Sequence, residues 1–409
     1  MGGLNYKIIF WDTFFLFPIS NGMKIQENIL LKDFTTFKVG GRAKYFAVVK
    51  SIDDLKQAVG FAKRNQLPVF VLGDGSNLLV SDEGVDGLVL KMEINGISIF
   101  QKNDFLNNTK NYKLKTKNYS VIAGAGETWD ELVEKCVEKG FYGLENLSFI
   151  PGTVGASVVQ NIGAYGVEVK DVVSWVEVFD IETGEIKKLS NKDCGFGYRD
   201  SVFKKPEGKN LVVIRVAYNL QKNGKLNLDY KDIQDYIVSS SLRDFPEPNF
   251  STAQRVEPLK NSAQENRGNP VSALNPKKLR EIIIQIRRNK LPDWKKVGTA
   301  GSFFKNPIIT KEQLEKILEK YPNLPNFKQK ISKSGFYKFY KISLAYVLDK
   351  ILGLKGLEEN GVGLYENQPL VIVNKGKAKT EDIKNFAQKI QKRVKDELGI
   401  IIEFEVVEW

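Results

Sequence analysis

Gly298-Thr299-Ala300-Gly301-Ser302-Phe303-Phe304-Lys305-Asn306-Pro307 is the stretch on which the reading of this chain turns. Gly298 and Gly301 permit tight backbone geometry that a Cβ resists, so the Ser302 hydroxyl can be brought close to a ligand while Phe303 and Phe304 anchor the segment by burial. Taken alone, a serine in a Gly-rich turn is more often an ordinary turn residue. Its weight comes from three distant companions: Gly197-Tyr198-Arg199-Asp200-Ser201, Lys290-Leu291-Pro292-Asp293 and the terminal Ile402-Glu403-Phe404-Glu405-Val406.

Composition narrows the chemistry open to these residues. The chain has 409 residues, 42% hydrophobic and 27% charged, enough for two or three domains with substantial cores. It contains no histidine, which removes Ser-His-Asp and Cys-His hydrolases, HExxH metalloproteases and any base or metal ligand that depends on imidazole. Proton transfer falls to Ser, Tyr, Lys, Asp, Glu or Cys. Cys136 and Cys194 are the only cysteines and form no CxxC pair, which argues against a zinc knuckle or disulfide framework and for a reduced, cytoplasmic setting. On its helix face beside Val133 and Val137, Cys136 reads as a small buried apolar residue. The formal charge of +12 favours anionic ligands, yet the basic residues are scattered, so no nucleic-acid partner is expected and a solvated basic surface is the plainer alternative.

Residues 1–22 carry an apolar run, Ile8 to Ser20, broken by Asp12 and Pro18. It is too short for a membrane span and has no clear small-residue cleavage site. Because Met23 begins a sequence that reads as an ordinary start, 1–22 is expected to be an extension, and no membrane association is expected. Tyr45 to Val49 then reads as a strand. Ser51 opens a helix with Asp54 at the capping-box position and Leu55, Ala58, Val59 and Ala62 on one face, and Pro68 to Gly73 reads as a short buried strand. That strand runs into Gly73-Asp74-Gly75-Ser76-Asn77-Leu78-Leu79-Val80, a loop suited to a backbone N–H nest for a diphosphate, with a hairpin turn equally open. It is neither a GxGxxG fingerprint nor a P-loop.

Residues 101–119 are polar and read as an exposed hairpin or loop insertion. Thr128 to Gly140 has a Thr-x-x-Glu cap, an apolar face and a terminal glycine. Pro151-Gly152-Thr153-Val154-Gly155-Ala156-Ser157 and Gln160-Asn161-Ile162-Gly163-Ala164-Tyr165-Gly166 follow, rich enough in small residues for a flat ligand to lie against backbone, or for close helix-to-sheet packing. Strands are expected at Trp175 to Asp180 and Leu211 to Leu220, a second insertion at 239–276, and a helix opened by Asn275-Pro276 with Leu279, Ile282, Ile283 and Ile286 on one face. Beyond Pro307 the chain turns α-rich. Thr310-x-x-Gln313 caps one helix, Ser343 to Leu352 forms another, Leu370 to Val373 is a strand and Thr380 to Leu398 a long amphipathic helix. Ile400 to Val407 is expected as a final strand with Glu403 and Glu405 on the same side.

From Met23 to Trp409, apart from the two insertions, the four quoted segments and the glycine-rich loops together resemble the UDP-N-acetylenolpyruvoylglucosamine reductase family, in the form with the longer middle section. The resemblance implies an α+β chain: a two-part FAD-binding region of the vanillyl-alcohol-oxidase (PCMH) type plus a smaller α/β substrate-binding domain. The implied boundaries are 23–91 with 400–409 for the first FAD subdomain, 92–291 for the second and 292–399 for the substrate domain. It implies FAD, held non-covalently since no histidine can carry it, with NADPH as co-substrate and UDP-N-acetylglucosamine enolpyruvate as substrate, in a cytoplasmic monomer.

By the same resemblance, Gly73, Asp74, Gly75, Ser76, Asn77 and Leu78 look like the FAD diphosphate loop, with Val39, Gly40 and Gly41 beside it. Pro151, Gly152, Gly155, Ala156, Gly163, Ala164, Tyr165 and Gly166 look like the second flavin segment. Ser302 matches the proton donor, Arg199 the residue that polarises the substrate and Glu405 the terminal carboxylate. Tyr198, Tyr230, Lys290, Asn306 and Gln368 match substrate contacts; no metal is implied. On residues alone, Arg199 could equally pair with Asp200 or Asp193, and strand alternation cannot separate Glu405 from Glu403. Tyr365 stands where many relatives carry a histidine, and Val407 where a basic residue often follows. Another FAD enzyme of this fold and a basic nucleic-acid-binding protein are the competing readings.

Overall fold

Arg42–Val49 and Val85–Met92 carry the apolar runs Tyr45 to Val49 and Leu88 to Leu90, largely buried as in strands covered on both faces. They pair in parallel, Val69–Leu72 adds to Val85–Met92 in parallel, and Ile25–Leu30 closes the other edge antiparallel. The helix Ile52–Arg64, capped where Ser51 Oγ accepts from Asp54 N, lays Leu55, Ala58, Val59 and Ala62 against this sheet. This computed structural model describes residues 23–101, 118–241, 274–329, 339–376 and 378–409. The expected extension at 1–22 lies outside the described residues.

The second body is a five-stranded antiparallel sheet in the order Ile186–Ser190, Val173–Asp180, Leu211–Gln221, Asn118–Gly124, Ile97–Gln101. Gln101 pairs with Tyr119, so the ends of the first expected insertion are strand, and residues 102–117 lie outside the described residues. Trp129–Glu138 packs Trp129, Leu132, Val133, Cys136 and Val137 onto the sheet. The expected cap is not formed: Thr128 makes no side-chain cap bond and instead bridges to Thr153 through the backbone. Phe179, Val212 and Ile214 share a core with Ala47, Leu55 and Leu90, which joins the first two bodies.

Lys231–Ser241, a helix missed in the sequence, takes in the start of the second expected insertion. Ile233 is buried on it and packs with Leu279, Ile282, Ile283 and Ile286 of the helix Pro276–Lys290, whose Asn275 cap accepts from Lys278 N. Residues 242–273 lie outside the described residues.

The third body contains an antiparallel sheet of Gly298–Ser302, Gln368–Asn374, Val362–Tyr365 and Glu358–Glu359, and a smaller sheet of Ile308–Thr310, Phe339–Ile342 and Asn326–Gln329. Thr310 and Gln313 form the full capping box on Lys311–Lys320, and Thr380–Leu398 ends at Gly399, which is left-handed. The Ser343 segment is a short helical turn, Leu344–Tyr346, running into a π turn at Val347–Ile351. Phe37, Val39 and Leu79 of the first body are buried in the same core as Phe303, Phe304 and Phe386, so the third body is packed onto the first.

The chain's end departs from the expected strand. Only Val407–Glu408 pairs, in parallel with Leu78–Leu79, while Phe404 makes an isolated bridge to Phe304. Without continuous alternation Glu403 and Glu405 separate. Glu403 is 72% exposed and pairs with Lys305, whereas Glu405 is 14% exposed and faces Arg199.

Cys136 and Cys194 are buried, and burial pushes both thiols up to about 12. A thiolate reagent at pH 8 should therefore leave both unlabelled in the folded protein and label both after denaturation. Rapid labelling of either in the native state would contradict this packing.

Candidate active site

Four turns or bulges set the site. Opposite Val371–Val373, the strand Gly298–Ser302 carries a bulge, with Gly301 at φ +74° and its N–H donating to Thr299 Oγ1. That extra residue re-aims Ser302. Behind it Phe303 and Phe304 are fully buried, Phe303 edge-on to Phe37 and Phe404 and Phe304 tilted against Phe404, which is the anchoring expected of them. Tyr198–Arg199 is a tight turn closed by Gly197 and Asp200, with Arg199 at φ +53°, where glycine is usual. Tyr165–Gly166, both at positive φ, turn the hairpin from Gly163–Ala164 to Val167–Glu168. In the loop that runs from Gly73 to Val80, Gly75 has φ +60°, and a Cβ there would stand 2.1 Å from Phe34 O, so only glycine fits.

These turns converge. Arg199 Nε donates to Glu405 Oε1 at 2.8 Å, and its Nη2 to Gly163 O at 2.7 Å. Neither Asp200 nor Asp193 takes that place; Asp200 pairs with Lys205, and Asp193 accepts from Ser190. The Glu405 backbone is clamped from both sides, its N–H donating to Phe303 O at 2.8 Å and its carbonyl accepting from Asn77 Nδ2 at 3.2 Å. Thr36 ties the same parts together from below: its N–H donates to Gly75 O and its hydroxyl to Thr299 O at 2.6 Å.

A cleft opens over this junction, lined by Ser302, Arg199 and Glu405 together with Tyr230, Lys290 and Gln368. Its other wall is Ser76 and Asn77 from the first loop and Pro151, Gly152, Ala156, Gly163, Ala164 and Tyr165 from the second glycine-rich segment. A neighbouring trough shares Ser76, Asn77 and Ala156 with it and continues along Gly73, Asp74, Gly75, Leu78 and Gly155. Val39, Gly40 and Gly41 line neither: Val39 is core, Gly40 packs on Val80 and Gly41 on Asp82 and Gly84. Gly166 sits at the hairpin turn beside Asn227. Tyr198 and Asn306 stand just behind the wall, where Asn306 Oδ1 accepts from Leu344 N and Tyr198 lies between Arg199 and Lys341.

The cleft's charge suits an anion, with Arg199, Arg287 and Lys290 facing Glu405 and Asp232. Lys290 Nζ donates to Asp232 at 2.7 Å. Burial pushes the Tyr165 phenol up to about 12 against the opposing charge of Arg287, and it raises Tyr198 and Tyr230 above their ordinary range. All three are neutral donors at neutral pH. Gln160, Asp232, Arg287 and Lys204 belong to this neighbourhood and were not singled out in the sequence. Gln160 stands inside a quoted motif and Asp232 two residues beyond Tyr230, but nothing local distinguishes Arg287 from Arg288 on its helix.

Two features test whether a flavin and an anionic substrate fit. The paired loops contribute small residues to two adjoining hollows that share Ser76, Asn77 and Ala156, and a Cβ at Gly301 would meet nothing within 4 Å, so backbone borders open cleft there. Gln368 Oε1 is buried beside the cleft and, among the described residues, has no hydrogen-bond partner, leaving an acceptor for a ligand donor. Residues 43–190 match an FAD binding domain, and residues 293–409 match the UDP-N-acetylenolpyruvoylglucosamine reductase C-terminal domain. Fold and match define the class: an FAD-dependent oxidoreductase with the expected α+β architecture.

The chain is 36% identical over 383 residues to a Pseudomonas syringae pv. syringae UDP-N-acetylenolpyruvoylglucosamine reductase, covering 94% of this chain and 98% of that protein. It is 36% identical to the Amoebophilus asiaticus enzyme over 94% of this chain and 99% of the relative. The crystal structure of the Thermus caldophilus UDP-N-acetylenolpyruvylglucosamine reductase aligns with a TM-score of 0.56 and 26% identity, over 95% of this chain and all of the other. The chain belongs to the UDP-N-acetylenolpyruvoylglucosamine reductase family.

Lysine at position 199 could not span Glu405 and Gly163 O together, since it lacks the planar fork. Arg199→Lys should lower kcat/KM roughly 100-fold, about 2.7 kcal/mol. A loss under threefold would show that the fork is not used.

Proposed function

We propose that this chain catalyses the NADPH-dependent, FAD-mediated reduction of UDP-N-acetylglucosamine enolpyruvate to UDP-N-acetylmuramate, supplying peptidoglycan precursor synthesis. The observation that carries this reading is the meeting of Ser302, Arg199 and Glu405 in one cleft walled by both glycine-rich segments. Gly73 to Leu78 would hold the FAD diphosphate, and Pro151 to Ala156 with Gly163 to Tyr165 would bed the ring. Bound there, FAD would supply the hydride chemistry, with NADPH as the source and the enolpyruvyl methylene carbon as the destination.

The protein's part is electrostatic and protic. Hydride arrival leaves negative charge spread onto the substrate carboxyl group, and Arg199, already oriented by Glu405 and Gly163 O, offers a fixed positive fork to it. Glu405 keeps that guanidinium in place and balances its charge before substrate enters. Ser302 delivers the proton to the carbon beside the carboxyl group. A hydroxyl is a weak acid in water, so this step needs a dry pocket, which Ile150, Ile162, Leu291 and Ala300 help to wall. Lys290 and Tyr230 would take the diphosphate, and Gln368 a substrate donor.

On this reading 23–91 with 400–409 and 92–291 hold the flavin, 292–399 covers the substrate, and the protein acts as a cytoplasmic monomer. Among the described residues no helix is long and apolar enough to cross a membrane. The purified protein should be yellow; a colourless protein retaining nucleic acid in a salt-sensitive way would favour the nucleic-acid reading.

Anaerobically, protein reduced by NADPH should be reoxidised by UDP-N-acetylglucosamine enolpyruvate, and failure to reoxidise would remove that substrate. Ser302→Ala should leave reduction by NADPH within a few-fold of wild type and slow reoxidation roughly 100- to 10,000-fold. Equal loss in both steps would make Ser302 structural.

A further inference from the structure

Lys204 lies behind the Arg199–Glu405 pair, and its contacts determine how that pair is presented. Its ammonium donates to Gln160 Oε1 at 2.9 Å and to the Arg199 carbonyl at 3.1 Å. An ammonium has donors and no acceptor, so the Gln160 amide is satisfied only with its oxygen toward Lys204. Gln160 Nε2 must then face the other way, where it donates to Glu405 Oε1 at 3.3 Å. That oxygen also accepts from Arg199 Nε at 2.8 Å. Both bonds fall on Oε1, and among the described residues no donor is bonded to Oε2.

The second contact acts on Arg199. A residue with a Cβ at φ +53° is in a disfavoured conformation that persists only where its surroundings impose it, and Lys204 holds the carbonyl of that residue. Burial lowers the Lys204 pKa and nearby Lys305 adds to the effect, while Glu405 and Asp200 oppose it. A part-buried charge is poor evidence of stabilisation by itself. Here its donors go to the two groups that hold the carboxylate and the guanidinium.

We propose that Lys204 is a positioning residue for substrate reduction: through Gln160 it fixes Glu405 with Oε1 engaged and Oε2 free, and through the Arg199 carbonyl it holds the guanidinium in register. This rests on the reading that Arg199 and Glu405 serve the enolpyruvyl acid. A displacement of the order of an ångström at a reacting group can cost about 100-fold in rate, which sets the scale.

The test is the anaerobic rate of flavin reoxidation by UDP-N-acetylglucosamine enolpyruvate, expressed per bound FAD. Lys204→Met should slow it roughly 10- to 100-fold, and Lys204→Arg, which keeps a donor, should recover most of the loss. Lys204→Met combined with Gln160→Ala should be no slower than the worse single variant, because both cut one chain of bonds. A wild-type rate in Lys204→Met, or multiplying losses in the double variant, overturns the proposal. Should Lys204→Met not retain flavin, Gln160→Leu against Glu405→Gln applies the same comparison, with multiplying losses again the overturning result. If wild-type protein is not reoxidised, the substrate reading and this relay fall together. If wild type is reoxidised and Lys204→Met matches it, only the relay falls.

Discussion

The ion pair between Arg199 and Glu405 joins a turn in the second body to the last residues of the chain, and the rest of the site is arranged around it. Both side chains are mostly out of water, at 18% and 14% exposure, so each would be costly to bury without the other. Removing one partner leaves more than a missing contact: it leaves an unpaired charge at the edge of a cleft. The pair therefore requires its surroundings to be held precisely, and the backbone supplies that. Phe303 O and Asn77 grip residue 405, the Gly197–Asp200 turn presents residue 199, and Gly163 O takes the second guanidinium arm.

This arrangement explains why three bodies meet where they do. Phe37, Val39 and Leu79 sit in the third body's core, and Phe179, Val212 and Ile214 sit with the first body's helix. Hydrophobic burial thus fixes the first body to both others, and the cleft forms where all three meet. Thr36 adds a polar link by bonding both the Gly75 loop and the Ser302 strand.

Much of this was legible in the sequence because it is local. Helix faces such as Leu55, Ala58, Val59 and Ala62, the Thr310 capping box and the anchoring of Phe303 and Phe304 follow from spacing and side-chain chemistry alone. The pairing of Arg199 with Glu405 does not, for its partners are 206 positions apart and nearer acids were available. The family resemblance brought both residues to one site, but their direct ion pair is seen only in the folded chain. The choice of Glu405 over Glu403 also lay beyond alternation, since the segment is clamped by Phe303 O and Asn77 rather than by a continuous ladder. Lys231–Ser241 was hidden by its short apolar face, Ile233, Tyr236 and Ile237, and by the polar stretch into which it runs. Lys204 and Arg287 are ordinary basic residues until folding turns them toward Gln160 and Tyr165.

Whether Arg199 and Glu405 act as one unit is measured by a double-mutant cycle on the rate of substrate reduction. With Arg199→Met, Glu405→Gln and the double variant compared per bound FAD, the account predicts a coupling of about 1 kcal/mol or more, the double variant being far less impaired than the product of the singles. Losses that add to within about 0.5 kcal/mol would show two independent residues and contradict it.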